Sequence, residues 1–151
     1  MANENELAVA ARTGIIHLEV VTPEGAAVRT EVDSVEAPSV NGEFGVLPGH
    51  LPLLAALRPG VVKFRSAGKT LVVAVGSGFA EAGPERMSIL TDRCIDGKDV
   101  DLAATRAALD AANRKVDAWG EVAEGPAFEE LSLSVQWLQA QLDAARELGR
   151  A

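Results

Sequence analysis

Residues 96–102 read Asp96-Gly97-Lys98-Asp99-Val100-Asp101-Leu102, and the hydrophobic periodicity of the chain changes across this segment. Before it, apolar residues alternate with polar ones or form short β-branched runs between turns, a pattern typical of strands. After it, apolar residues recur every three or four positions, which is typical of helices. The sequence therefore predicts an α+β protein, with an N-terminal antiparallel β-sandwich followed by a C-terminal antiparallel two-helix hairpin.

The first part of the chain carries short apolar segments separated by glycine and proline. The predicted strands are Ile16 to Val20, Val28 to Val32, Val61 to Arg65, Leu71 to Val75, Gly78 to Glu81 and Met87 to Leu90. Turn residues lie between them at Pro23-Glu24-Gly25, Asn41-Gly42, Ser66-Ala67-Gly68 and Gly83-Pro84. Many short strands with such turns favour a sandwich over residues 14–97. We expect residues 1–13 to be a flexible N-terminal extension.

The second part, residues 98–151, has the pattern of two helices. Asp99 or Asp101 can cap the first helix, and Pro126 suits the first turn of the second, after a break over 120–125. In the second helix an unbroken a/d seam is formed by Phe128, Leu131, Val135, Leu138, Leu142 and Ala145. Two helices alone bury little surface, so we expect the hairpin to pack on the sandwich or on a partner, and the sequence leaves both open.

Composition excludes several classes of protein. The 151 residues include 22 acidic and 14 basic ones, for a net charge of −8, and no basic cluster offers a footprint for nucleic acid. No apolar run is long enough to span a membrane, and the first residues lack the features of a signal peptide. One cysteine, Cys94, and two histidines, His17 and His50, predict neither a disulfide framework nor a metal site. We therefore expect an intracellular protein.

No catalytic site and no cofactor are predicted. Gly76-Ser77-Gly78 lacks the Gly-x-Ser-x-Gly form of a nucleophile elbow, so we interpret it as a close backbone approach within a sheet. Cys94 is interpreted as a small buried residue. An enzyme using Cys94 or His50 remains an alternative, and it requires both side chains to share one cleft.

The segment from Asn41 to Leu54 carries a specific resemblance. Its sequence, Asn41-Gly42-Glu43-Phe44-Gly45-Val46-Leu47-Pro48-Gly49-His50-Leu51-Pro52-Leu53-Leu54, resembles the signature of the epsilon subunit of bacterial F-type ATP synthase, the counterpart of the mitochondrial delta subunit. The similarity continues at 17–23, 57–61 and 76–81, in the order and spacing of the family. The resemblance covers about residues 15–96, and a two-helix segment follows in the family as well.

The resemblance implies a β-sandwich joined to a helical hairpin, and a non-catalytic role. It implies a central-stalk (rotor) subunit that binds the gamma subunit and the c-ring and couples proton-driven rotation to ATP synthesis. The hairpin of many members also restrains ATP hydrolysis, through the alpha/beta catalytic head. The implied location is peripheral, at the cytoplasmic face of the bacterial inner membrane, where partners hold the subunit.

The resemblance also assigns site residues to this sequence. The implied c-ring contact is the loop of Asn41, Gly42 and Glu43, whose carboxylate can pair with a cationic loop in a salt-sensitive contact. The implied gamma contact consists of His50, Leu51, Pro52 and Leu53.

An ATP site in the hairpin is the alternative. Family members that bind ATP there carry Ile/Leu-Asp-x-x-Arg-Ala, with the acid and the arginine one turn apart. Here Asp101 and Arg106 stand five positions apart, which separates them by about 140° around a helix. An ATP-responsive regulatory module would require Asp101, Arg106 and Arg114 to converge on one pocket, and the spacing disfavours this.

Overall fold

The computed structural model describes residues 3–5, 14–120 and 122–150. Its strands are β1 (Ile16–Thr22), β2 (Gly25–Val32), β3 (Ser34–Ser39), β4 (Gly42–Val46), β5 (Leu53–Leu57), β6 (Gly60–Ser66), β7 (Lys69–Val75), β8 (Gly78–Ala82), β9 (Arg86–Thr91) and β10 (Cys94–Asp96). A 3-10 helix (Gly97–Asp99) and the helices α1 (Leu102–Asp117) and α2 (Pro126–Glu147) follow. This order confirms the predicted α+β class. The predicted flexible extension over 1–13 lies, apart from 3–5, outside the described residues.

The strands pair in the order β10-β7-β6-β3-β5-β8-β9-β1-β2, and β4 pairs with the other edge of β3. Strands β3 and β5 share a single pair, Ser39 with Leu57, where the path turns from one layer of the sandwich into the other. All neighbouring strands are antiparallel except β1 and β9, which are parallel. One layer therefore contains β10, β7, β6, β3 and β4, and the other contains β5, β8, β9, β1 and β2.

Alternate residues of the strands fill the space between the layers. In β1 the predicted alternation is confirmed, since Ile16, Leu18 and Val20 are buried and His17 is exposed. The same parity in other strands adds Val62, Phe64, Val73, Val75, Met87 and Ile89 to this core. Burial of alternate apolar side chains is what stabilises a two-layer β structure.

The predicted turn at Asn41-Gly42 joins β3 to β4. Gly42 has a φ of 121°, which a side chain would disfavour. The Ser39 hydroxyl donates to the Gly42 carbonyl at 2.6 Å and accepts from the Asn41 amide at 3.1 Å. These contacts hold the turn in one conformation and present its residues at the end of the sandwich.

The two helices form the predicted antiparallel hairpin. Asp101 caps α1, because its carboxylate accepts from the Ala104 amide at 3.0 Å, and Pro126 is the first residue of α2. Residues of the predicted seam are half-buried along α2, and Ala145 is fully buried. At the tip of the hairpin, the Trp119 and Phe128 rings meet edge to face with centroids 5.3 Å apart.

Helix α2 also packs on the outer face of β6 and β7. A second apolar cluster forms there from Val72, Ala74, Ala140 and Ala144, with Val61, Ile95 and Trp137 at its margin. Small alanines allow the helix axis to approach the sheet closely. The hairpin therefore packs on its own sandwich, which is one of the two alternatives that the sequence left open. The contact uses Trp137, Ala140 and Ala144. These residues lie about 160° around α2 from the centre of the seam, on a face that the sequence did not indicate.

Candidate functional site

The outer face of the β5-β8-β9-β1-β2 layer carries a line of apolar side chains. Strand register places Ala56, Phe79, Leu90 and Val21 in one row across four adjacent strands. We call these four residues the apolar row. Phe79 and Leu90 are 58% and 55% exposed, because α2 covers the other layer and no described element covers this one.

Two further residues extend the apolar row into a patch. The Val40 amide donates to the Ala56 carbonyl at 3.0 Å, which brings the exposed Val40 beside the row. Leu54, two positions before Ala56 on the same face of β5, is 72% exposed. A contiguous exposed apolar surface on a folded domain marks an interaction site more often than a single exposed leucine does.

The hydrophobic periodicity of the sequence did not indicate this patch. A signal is present, since Ile89 and Leu90 are both apolar although neighbouring residues of a strand face opposite sides. Phe79 likewise lies opposite in parity to the buried Ala80. Such strands need a partner on each face, but only the strand register shows that Phe79 and Leu90 stand side by side.

The residues implied for c-ring contact lie in the β3–β4 turn, next to Val40. Asn41, Gly42 and Glu43 are all exposed. Among the described residues, the Glu43 carboxylate forms no ion pair within 4.0 Å. The carboxylate is therefore available to a cation on another molecule.

Lys63 lines a pocket together with Glu43, as do Arg58 and Arg146. Its ammonium group lies 3.2 Å from the Glu36 carboxylate and 3.6 Å from that of Glu147. The hydrogen bond to Glu36 raises the pKa of Lys63 most, burial opposes it, and the charges of Glu147, Glu36 and Glu43 add smaller increases. Lys63 is thus already committed to two carboxylates and leaves Glu43 without a close partner.

The residues implied for gamma contact lie at the other end of β5. The His50 Nδ1 donates to the Leu51 carbonyl at 2.6 Å, and Leu51 and Pro52 are exposed, whereas Leu53 packs against the core. The length of β5 places these residues about 13 Å from the Asn41 turn. The two implied contact sets therefore occupy opposite ends of the sandwich, and the apolar patch lies along the strands between them.

The structure does not bring the three ATP candidates together. The Asp101 carboxylate caps α1, and the Arg114 guanidinium pairs with Asp110 one turn away. Arg106 is exposed on the same helix. The acid and one of the two arginines are thus occupied by contacts within α1 itself.

The other residues considered for chemistry have structural positions. A Cβ added to Gly78 would lie 1.8 Å from the Leu90 carbonyl oxygen, so this segment is a close approach between strands, as interpreted. Cys94 lies on β10, where burial, and secondarily the charge of Asp96, raise the pKa of its thiol to about 11. Cys94 pairs with Val75, which also pairs with Gly60 just after the end of β5. His50 precedes the start of β5, at the opposite end of the strands, so the two side chains do not share a cleft.

Two absences among the described residues concern metal binding and membrane crossing. Within 3–5, 14–120 and 122–150, no three His, Cys, Asp or Glu side chains are grouped to hold a metal ion. In the same part of the chain, neither helix is long and apolar enough to cross a membrane.

Comparison with known proteins identifies the family. The family model of the beta-sandwich domain of the ATP synthase delta/epsilon chain matches residues 15–97, more than half of the chain. The chain belongs to the ATP synthase delta/epsilon family. The matched segment contains both layers of the sandwich, and therefore the apolar row and both implied contact sets.

Individual relatives agree with this assignment. The ATP synthase epsilon chain of Magnetococcus marinus is 40% identical over 129 residues, which span 85% of this chain and 93% of that one. The epsilon chain of Anoxybacillus flavithermus is 40% identical over 103 residues, 68% of this chain and 77% of the relative. This member of the delta/epsilon family is accordingly a subunit of ATP synthase and not an enzyme with its own active site.

Solved structures share the fold. A chain in the structure of the Euglena gracilis mitochondrial ATP synthase superposes with a TM-score of 0.73 at 21% identity, covering 87% of this chain and 81% of that one. A chain in the central stalk and c-ring structure of the Tetrahymena thermophila enzyme gives a TM-score of 0.54 at 14% identity. The similarity of fold extends beyond the sandwich, because these matches span more residues than the 15–97 segment.

Proposed function

We propose that this chain is the central-stalk subunit that binds gamma and seats it on the c-ring, so that proton-driven rotation reaches the catalytic head of the ATP synthase. The observation that carries the proposal is the exposed apolar patch on one layer of a sandwich whose other layer is covered by α2. A rotor component needs a rigid body and a stable interface, and this arrangement supplies both.

The gamma subunit is the partner we assign to the apolar patch. Phe79 lies within the row, with Leu90 beside it on β9 and Ala56 on β5, and large aromatic side chains at the centre of an interface commonly dominate binding. The exposed Leu51 and Pro52 add contact area at the end of β5. Burying this patch would remove apolar surface from water that the isolated chain leaves exposed.

The c-ring is the partner we assign to the β3–β4 turn. Asn41, Gly42 and Glu43 are exposed at one end of the sandwich, and the Glu43 carboxylate forms no ion pair within 4.0 Å among the described residues. A contact between this carboxylate and a cationic loop would be exposed, and would therefore weaken as salt increases. Through these partners the subunit would sit at the cytoplasmic face of the bacterial inner membrane.

The gamma assignment is tested by a pull-down with the full chain and a gamma subunit from the same source. Phe79→Asp places a charge in the apolar row, and we expect it to weaken gamma binding by at least tenfold. Val122→Asp is the matched control, because it makes the same change at an exposed residue of the helix–helix loop. Equal gamma binding by the two variants would show that gamma does not bind at the apolar patch.

A role for the hairpin in restraining hydrolysis is tested separately. ATP hydrolysis is measured with the assembled head and stalk, first with the full chain and then with a version ending at Lys98. Faster hydrolysis with the shortened chain supports restraint by the hairpin through the alpha/beta head. Unchanged hydrolysis would leave a purely mechanical coupling subunit.

A further inference from the structure

The end of α2 is shaped by a reversal of the backbone. Gly149 has a φ of 76°, in the left-handed region that favours glycine. Its amide donates to the Arg146 carbonyl at 2.9 Å, and the Arg150 amide donates to the Ala145 carbonyl at 2.9 Å. This pair of bonds is the Schellman arrangement, which ends a helix and sends the chain back across its last turn.

The reversal directs the Arg150 side chain to the segment where the sandwich ends. Its guanidinium donates to the Gly97 carbonyl at 2.6 Å and to the Val100 carbonyl at 3.0 Å. Both carbonyls belong to the link between β10 and α1. One partly buried cation therefore joins the end of the hairpin to its beginning, with two charge-assisted hydrogen bonds.

The packing at this point has little free space. A Cβ added to Gly97 would lie 2.8 Å from the Ala144 carbonyl oxygen and 3.0 Å from Leu148 Cδ1. Gly97 thus lets the last turns of α2 lie directly on the link. The base of the hairpin is thus in close contact with the link, and at the tip the Trp119 and Phe128 rings meet each other.

We propose that Arg150 is a latch that holds the base of the α1–α2 hairpin on the sandwich, and that its loss releases the hairpin while the strands stay folded. The carbonyl oxygens of Gly97 and Val100 accept the two hydrogen bonds of this latch. The guanidinium suits this task, because its Nη1 and Nη2 donors are held apart in a rigid plane, whereas the three donors of an ammonium group share one nitrogen. The latch is a property of the isolated chain and does not depend on its place in ATP synthase.

The test is amide hydrogen exchange of the full chain, read by mass spectrometry. Arg150→Ala should accelerate exchange in α1 and α2 by about tenfold to a hundredfold, the range expected for lost bonds to a charged donor. Arg146→Ala is the matched control, since it removes a cation from the same end of α2 whose one ion pair among the described residues is with Asp143, at 3.4 Å. Equal acceleration in the two variants would overturn the latch.

Two further variants separate the latch from a general loss of stability. Arg150→Lys keeps the charge and should give an intermediate acceleration. Gly97→Ala leaves Arg150 in place but wedges α2 from the link, and should accelerate exchange in the same helical segments. If amide exchange in Arg150→Ala accelerates as much in the strands as in the helices, Arg150 stabilises the whole fold and is not a latch.

Discussion

At the scale of single residues, Gly78 determines how closely two strands meet. Its missing side chain is what allows the Leu90 carbonyl to lie where a Cβ would be, 1.8 Å from that oxygen. Gly78 pairs with Thr91 at the start of β8, directly before Phe79. The glycine therefore sets the position of Phe79, the residue of β8 that belongs to the apolar row.

Replacing Gly78 by alanine should be strongly destabilising. The new methyl group must push the β9 backbone away, and we expect the free energy of unfolding to fall by about 3 kcal/mol. Gly45→Ala is the control, because a Cβ added to Gly45 would lie 3.9 Å from the nearest atom, the Val35 carbonyl oxygen. Urea unfolding of both variants measures the difference, and equal midpoints would contradict this account of Gly78.

Cys94 gives a prediction about pH. Burial raises the pKa of the thiol to about 11, so little thiolate exists at pH 8 and alkylation by iodoacetamide should be slow in the folded chain. The rate should rise as pH approaches 11 and should be fast at pH 8 in urea. Because the thiol ionises more readily in the unfolded chain, the stability it contributes is complete below about pH 9 and is lost as pH rises through 11. Rapid alkylation of the folded chain at pH 8 would show the thiol to be accessible and ionised.

At the scale of elements, α2 works with two apolar faces. Helix α2 contacts α1 and carries the half-buried seam, and its face of Trp137, Ala140 and Ala144 packs on the sheet. The Arg93 guanidinium lies 5.4 Å from the centre of the Trp137 ring and adds a cation–π contact at the edge of this interface. The hairpin is thereby part of the sandwich's own packing and not a free arm.

A charge placed in the seam should unfold the hairpin locally. Leu138, on the predicted seam, is half-buried, and Leu138→Asp should destabilise the helices by about 2–3 kcal/mol through lost burial and a poorly solvated charge. Leu133→Asp makes the same change at a residue of α2 that is 44% exposed, and should have little effect. Thermal melts followed at the helical circular dichroism signal compare the two variants. If Leu138→Asp melts like the control, the seam does not pack as described.

The sequence predicted the elements that bury one face and expose the other, and those whose ends carry clear turn or cap residues. Strand β1 alternates cleanly, and the Asn41-Gly42 turn, the Asp101 cap and the Pro126 start of α2 follow from local chemistry. Strand β5 was not predicted, because Leu53-Leu54-Ala55-Ala56-Leu57 is apolar at every position and shows no alternation. Strand β10 has only three residues, too few to show a period.

The contacts between elements could not be predicted in the same way. The apolar row runs across strands, so it depends on the register of four segments that lie apart in sequence. The sheet-facing side of α2 consists mainly of alanines, which the sequence shows equally on other faces of the helices. The latch at Arg150 depends on the direction in which the backbone reversal at Gly149 sends the Arg150 side chain. A single arginine near the end of a sequence does not indicate which carbonyls it will contact.

At the scale of the whole molecule, the two outer faces of the sandwich differ. Helix α2 covers one of them, and we assign the other to a partner. Removing the hairpin would uncover Val61, Val72, Ala74 and Ile95, which form the sheet side of the second apolar cluster. We therefore expect a chain ending at Lys98 to associate with itself.

Sedimentation velocity tests this expectation. The full chain should remain monomeric at concentrations where the shortened chain forms larger species, because only the latter exposes the β6–β7 face. Restoring a monomer by Val72→Lys in the shortened chain would locate the contact on that face. If the shortened chain is monomeric at all concentrations, exposure of the β6–β7 face does not cause self-association.

The turn at Glu43 gives a prediction about assembly. Glu43→Lys should weaken binding to an isolated c-ring, and the difference from the unchanged chain should shrink as salt increases. Glu85→Lys makes the same charge change in the β8–β9 turn, at the opposite end of the strands, and serves as control. A difference that does not change with salt would argue against an ionic contact at Glu43.

The parallel pairing of β1 with β9 has a consequence for how fast the chain folds. Strands β1 and β2, β6 and β7, and β8 and β9 are each joined by short turns, so these hairpins can form within microseconds. Leu18, however, must meet Met87 across most of the sandwich sequence. Closing so long a loop is entropically costly and slows folding. The N-terminal hairpin should therefore join its layer last, in the rate-limiting step, after the central strands and the α1–α2 hairpin have formed.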